Sequence, residues 1–275
     1  MDFTSRMVAL LRELRRERNG AVADTMGYYG TAYGLNYGVS LPTLRKLARA
    51  EHPDHDFARY LYRQDVRELR LAALHIARPD CLCAGEFPAW AAGIVNSEIA
   101  EEAAFALLSR TDALPDLFRE WIASPDALLQ YAALLAAARS PRLTVEWAAP
   151  AVEAVHRNAV AEEAAARATD VARAADIAGT AAPSDIFIAS DASVVANAPA
   201  APATPAALSH TAATQAFRHP VPAARLTAQG AVALLAAVGA QNEENRLAVL
   251  RATGSLGKLP AEDYVREELA WRLEA

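Results

Sequence analysis

One short pattern returns along this chain at a nearly constant distance. Leu71-Ala72-Ala73-Leu74, Ala103-Ala104-Phe105 and Tyr131-Ala132-Ala133-Leu134 sit at equivalent places in successive apolar-periodic stretches, with offsets of 31 and then 29 residues from Ala72. Leu247-Ala248-Val249-Leu250 reads as a fourth copy. A period near 30 leaves room for two helices per unit, and a unit that small buries its apolar face only against its neighbours. The repeat therefore predicts helix pairs stacked into an α-solenoid. About a quarter of the chain is Ala, the residue that loses no side-chain entropy in a helix and lets helix axes approach closely. No segment shows sustained alternation with period two, so strands are not expected.

The first expected helix places Met7, Leu10, Leu11 and Leu14 on one face and is stopped by Asn19-Gly20. An aromatic, Gly-punctuated stretch follows from Tyr28 to Tyr37. Ser40 then reads as an N-cap with Pro42 in the first turn. Further helices are expected over 55–63, 65–77, 86–94, 97–109, 114–123, 126–139, 144–156 and 159–177. Residues 179–222 hold six of the 15 prolines and three charges, a composition of linkers or flexible insertions. Within them Asp185–Ala189 reads as a short strand. Helices near 224–239, 242–253 and 260–273 close the array. The expected division is a solenoid over 1–178, a linker over 179–222 and C-terminal capping helices over 223–275.

Charge is uneven. Residues 1–80 carry 13 basic and 10 acidic side chains, net +3, and residues 81–275 carry 14 and 23, net −9, which sum to the total of −6. That balance excludes a uniformly basic nucleic-acid coat and concentrates any phosphate-binding surface in the first third. Cys81 and Cys83 are too close to bridge each other and have no second pair for zinc. They are expected as buried thiols in a reducing compartment. The first residues carry charges where a signal peptide would be apolar. The longest apolar run, Gly230–Ala240, is too short for a bilayer. A cytoplasmic protein is expected.

The segment Tyr37-Gly38-Val39-Ser40-Leu41-Pro42-Thr43-Leu44-Arg45-Lys46-Leu47-Ala48 resembles a signature of the AlkD-like DNA alkylation-repair family. Asp65-Val66-Arg67-Glu68-Leu69-Arg70-Leu71-Ala72-Ala73 resembles that family's second repeat. The resemblance runs over roughly residues 1–180. It implies an all-α, HEAT-like solenoid whose concave face grips duplex DNA and from which N3- and N7-alkylated purines are excised. It implies a carboxylate that stabilises the sugar cation, aromatic faces that hold the cationic base, and no metal or organic cofactor. The family's catalytic Trp-Asp-x-x-Asp aligns with Gly93-Ile94-Val95-Asn96-Ser97. Its Trp-x-Arg-Arg aligns with Leu128-Leu129-Gln130-Tyr131. The Trp position is then Gly93, the catalytic Asp position Ser97, and the phosphate-binding Arg is Gln130 or Tyr131.

A shift of one helical turn brings Glu98 or Glu101 to the carboxylate position. Glu98, Glu101 and Glu102 also fit an acidic first turn favoured by the helix dipole. The expected DNA contacts are Arg45, Lys46, Arg67 and Arg70, with Tyr37 and Tyr131 as groove aromatics. Arg67 and Arg70 equally fit inter-repeat ion pairs. Trp90 and Trp121 read as core, as do most of Tyr28, Tyr29, Tyr33 and Tyr37. His52 and His55 read as a surface loop without metal, and His75 as a partly buried, satisfied histidine. Two partners follow: duplex DNA at a groove lined by the four cations, or a protein in a groove that is acidic or apolar. The alternative function is a non-catalytic HEAT-repeat scaffold that binds protein, peptide or undamaged DNA.

Overall fold

In the computed structural model the chain is described over residues 2–28, 33–179 and 222–273. The expected segment 179–222 and the expected strand at Asp185–Ala189 fall almost wholly outside them. Helices α1 (Phe3–Arg16), α2 (Gly20–Tyr28), α3 (Leu41–Ala50), α4 (His55–Tyr62), α5 (Arg67–Ile76), α6 (Phe87–Ala91), α7 (Ser97–Ala106), α8 (Leu114–Ile122), α9 (Ala127–Arg139) and α10 (Ala148–Gly179) follow one another. They are joined by α11 (Ala223–Gly239), α12 (Glu243–Thr253) and α13 (Pro260–Leu273). Among the described residues the sole β pairing is one isolated parallel bridge, Leu35 to Val66.

The helices alternate between two rows. In the inner row α3 packs on α5, α5 on α7, α7 on α9, α9 on α11 and α11 on α13. Behind them α4 packs on α5, α8 on α9 and α10 on α11. The recurring alanines are the seam of the inner row. Ala72, Ala73, Ala103, Ala104, Ala132 and Ala133 are all buried, which sets a short distance between neighbouring axes. At α11 the seam uses glycine. A Cβ on Gly230 would lie 3.0 Å from Leu134 Cβ and 3.1 Å from the Tyr131 ring.

Several sequence expectations change. The fourth repeat helix is α11, not the Leu247–Leu250 segment. Leu247 and Leu250 are exposed, because α12 lies in the back row and presents Val249 alone of that quartet to the core. Asn19-Gly20 does not mark the first helix end. α1 stops at Arg16, and the Asn19 side chain accepts the Val22 amide to start α2. The separate helices 144–156 and 159–177 are one helix, preceded by a 3₁₀ turn at Val145–Trp147. Arg157 and Asn158, which fall between the two expected ranges, lie inside that helix and are held by partners. Arg157 donates to the Ile122 carbonyl at 2.7 Å, and Asn158 donates to Gln130 and Thr227 at 2.7 and 2.8 Å. Finally, Cys81 and Cys83 are exposed. Cys81 ends a 3₁₀ turn at Pro79–Cys81, and Leu82, next to it, takes the inward position between the two thiols.

Other local expectations hold. Ser40 caps α3 by accepting the Thr43 amide, with Pro42 in the first turn. Trp90 and Trp121 are buried. His55 departs from the surface-loop reading. It opens α4 behind the Asp54 cap, is buried, and bonds Glu86 at 2.7 Å. His52 is exposed, as expected.

Candidate nucleic-acid interface

In the inner row, carboxylates of α7 tie that helix to α3, α5 and α9. Asn96 caps α7 by accepting the Ile99 amide at 3.0 Å. Three carboxylates follow the cap and have three different fates. Glu98 accepts Arg67 Nε at 2.8 Å and Nη2 at 2.5 Å, and also the Tyr33 hydroxyl. Arg67 is only 3% exposed, and its remaining nitrogen reaches the Val39 carbonyl and Glu68. Glu68, fully buried, accepts the amides of Tyr37 and Val39 at 3.1 and 3.2 Å. Those amides flank Gly38, whose φ of 70° and approach to the Asn19 carbonyl leave no room for a side chain. Burial first, and then the Glu98 charge, raise the Tyr33 phenol far above the usual tyrosine range.

Glu102, like Glu98, is turned toward the preceding helices of the row. It takes a two-pronged contact from Arg45, at 2.8 and 2.6 Å, and a bond to His75 Nε2 at 2.5 Å. Thus α3, α5 and α7 meet on one carboxylate. Burial alone would raise its pKa, but the bonds from Arg45 and His75 outweigh that and hold it at about 2. His75 is accordingly satisfied and partly buried, as expected.

Glu101 alone among the three is exposed. It accepts the hydroxyl of Tyr131, on α9, at 3.0 Å. Tyr131 is buried, and burial followed by the Glu101 charge keeps its phenol protonated well beyond neutrality. A carboxylate fixed by a neutral donor and open to solvent can stabilise a positive charge or orient a water molecule.

The expected cations separate into two groups. Arg45 and Lys46, with Arg49, border an open depression of about 730 Å³ whose other walls are Pro42, Ala50 and Phe105. The Arg45 guanidinium lies 4.9 Å from the centre of the Phe105 ring. Arg67 and Arg70 are elsewhere engaged. Arg67 is enclosed as described, and Arg70 folds onto the preceding loop, donating to the Gln64 carbonyl at 3.0 Å and pairing with Asp65 at 3.1 Å. Tyr37 is half-buried and accepts Arg15 Nε at 2.9 Å. Gln130 is fully buried, bonded to the Ser124 carbonyl, Asn158 and Thr227. Ser97 is exposed. At Gly93 a Cβ would fall 2.1 Å from the Tyr62 ring, so no side chain fits there. Among the described residues no cluster of His, Cys, Asp and Glu is placed to hold a metal ion, and no helix is long and apolar enough to cross a membrane.

Sequence reasoning did not single out Arg49 and Phe105. Both carried a signal. Arg49 lies four residues after Arg45 and three after Lys46, on one helix face. Phe105 lies four after Glu101, and so shares its face of α7.

A sequence family described as DNA alkylation repair enzyme matches residues 10–170. The chain belongs to that family. The match takes in the turn at Gly38, the capped α3 and all three carboxylates of α7. Among solved structures, one described as representing a family of proteins related to the HEAT-like repeat DNA glycosylases, with affinity for branched DNA structures, is similar in fold. It covers 99% of this chain and 96% of its own, with a TM-score of 0.56 and 15% identity. No curated protein matches the chain significantly. The HEAT-like solenoid of this DNA alkylation repair family member thus extends through the helices beyond residue 170, which the family match does not reach.

Proposed function

We propose that this family member binds DNA on the exposed face of its inner helix row, with Lys46 and Arg49 as the phosphate contacts and Arg45, held by Glu102, beside them. The observation that carries the reading is the gathering of these three cations around one depression, in a chain whose net charge is −6. A local positive field on an acidic molecule directs phosphate to one place. The family match and the solved neighbour's affinity for branched DNA support a DNA partner. The test is a titration of a short labelled duplex by fluorescence anisotropy over a range of salt. Two phosphate contacts give a slope of log affinity against log salt of about −1.8. Absence of binding at low salt would overturn the proposal and turn attention to a protein partner.

A second reading, excision of N3- or N7-alkylated purines, rests on Glu101. It is the exposed carboxylate of the three, and a buried phenol holds it in place. Glu98, the other candidate, is committed to Arg67 and Tyr33. The aromatic half of the family's site is not rebuilt at Gly93, because Tyr62 fills that space. Release of 3-methyladenine or 7-methylguanine from methylated DNA tests the activity. Its loss in Glu101→Gln, with duplex affinity retained, supports Glu101 as the carboxylate. Equal release by wild type and variant removes it from that role.

A further inference from the structure

The inner-row repeat puts Phe105 in register with Leu74 of α5 and Leu134 of α9, by the same offsets of 31 and 29 residues that relate the alanines. Leu74 and Leu134 are fully buried, whereas Phe105 is 44% exposed. A position that buries an aliphatic side chain in two repeats therefore displays an aromatic ring in the repeat between them. Nothing in the packing of α7 calls for it, since Ala103, Ala104 and Ala106 around it already close the seam. The ring is not loosely placed either. Arg45 lies over it at 4.9 Å, and Arg45 is pinned by both oxygens of buried Glu102. The exposed cations Lys46 and Arg49 border the same depression.

An exposed aromatic face set among cations is the arrangement that takes a base out of a stack while holding the phosphates beside it. A base inside a continuous duplex offers no free face. We propose that the depression between α3 and α7 is a stacking site for an unpaired nucleobase, with Phe105 and the overlying Arg45 guanidinium as its platform and Lys46 and Arg49 as contacts to the flanking phosphates. The ligand class is DNA with a single-stranded end or branch. This rests on the DNA-binding reading above and narrows it. Phe105 and Glu101 are one turn apart on one face of α7, about 6 Å along the axis. A nucleotide stacked on the ring consequently lies beside the exposed carboxylate.

The experiment compares three labelled probes of equal length. One is a blunt duplex. The second is a fork carrying two unpaired arms, and the third is the same fork with abasic arms, which keeps the phosphates and removes the bases. Stacking predicts that the fork binds about tenfold more tightly than the abasic fork, the gain typical of one base on an aromatic side chain. In Phe105→Ala the two forks bind alike while blunt-duplex affinity is kept. Phe105→Tyr retains the preference and Phe105→Leu, apolar but not flat, loses it. Lys46→Ala weakens all three probes together. Circular dichroism checks that each variant is folded. If the wild type binds fork and abasic fork equally, or if Phe105→Leu keeps the preference, the stacking site is overturned and the DNA-binding proposal stands. If none of the three probes binds, the DNA-binding reading itself fails.

Discussion

Glu98, Glu101 and Glu102 show how far a residue's role depends on its partners. All three have the same chemistry and sit within one helical turn, yet two are cross-links and one is open. Glu102 makes the sharpest prediction. Its folded pKa of about 2 lies below the ordinary 4.5. Its contribution to stability is therefore complete above pH 4.5 and is lost as pH falls from there through 2. Glu102→Gln should be less stable than wild type at pH 7 in urea denaturation, and that gap should narrow steadily below pH 4.5. Arg67 tests the division among the cations. Arg67→Ala leaves Glu68 buried without its cation, at a cost of about 3 kcal/mol in unfolding free energy. Its DNA affinity, measured where it is still folded, should stay near the wild-type value, whereas Lys46→Ala should weaken binding without changing stability. The sequence showed that Arg67 is either a phosphate ligand or an inter-repeat pair. It did not show which, because the deciding partner is 31 residues away and reaches it only through the repeat spacing.

At the scale of elements, the helices were largely legible in caps and periodicity, and the departures share one cause. Arg157 and Asn158 fall between the helices expected over 144–156 and 159–177. In the fold both side chains reach across to α8, α9 and α11. Leu247–Leu250 imitated the repeat in composition, while the true next helix hid its match behind Gly230. The candidate site was less legible than the helices. Arg45 and Lys46 lay within a recognisable segment, but Phe105 looked like one more apolar residue of the seam, and only its exposure marks it out. Gly93 supplies a test at this scale. The residue lies in the turn after α6, where no positive φ calls for glycine, but an added methyl meets the buried Tyr62 ring. Gly93→Ala should lower stability by about 1–3 kcal/mol in chemical denaturation, and unchanged stability would mean that the ring yields freely.

At the scale of the whole molecule, the charge split along the sequence has a local counterpart. The three cations of the depression all lie on α3, within the net +3 first part of the sequence, and Phe105 of α7 completes its wall. Net charge alone therefore misjudges this protein. Removing Lys46 and Arg49 together should reduce the salt slope of DNA binding by about 2, although it makes the chain more acidic by the same two charges. An unchanged slope would place the phosphates on another surface.

The long helix α10 carries one more consequence. Its 32 residues span about 48 Å. Its first half packs into the array, but every residue from Ala164 to Arg173 is exposed. Those turns contribute little to holding the two ends of the chain together. That task falls to the seam between α9 and α11, with buried Gln130 and Thr227 bonded across it at 2.8 Å. A single peptide bond cut at Arg173 should thus leave two fragments that still migrate as one particle. Expressed separately, the fragments before and after that point should find each other and restore the fold, so the protein would serve as a complementation pair.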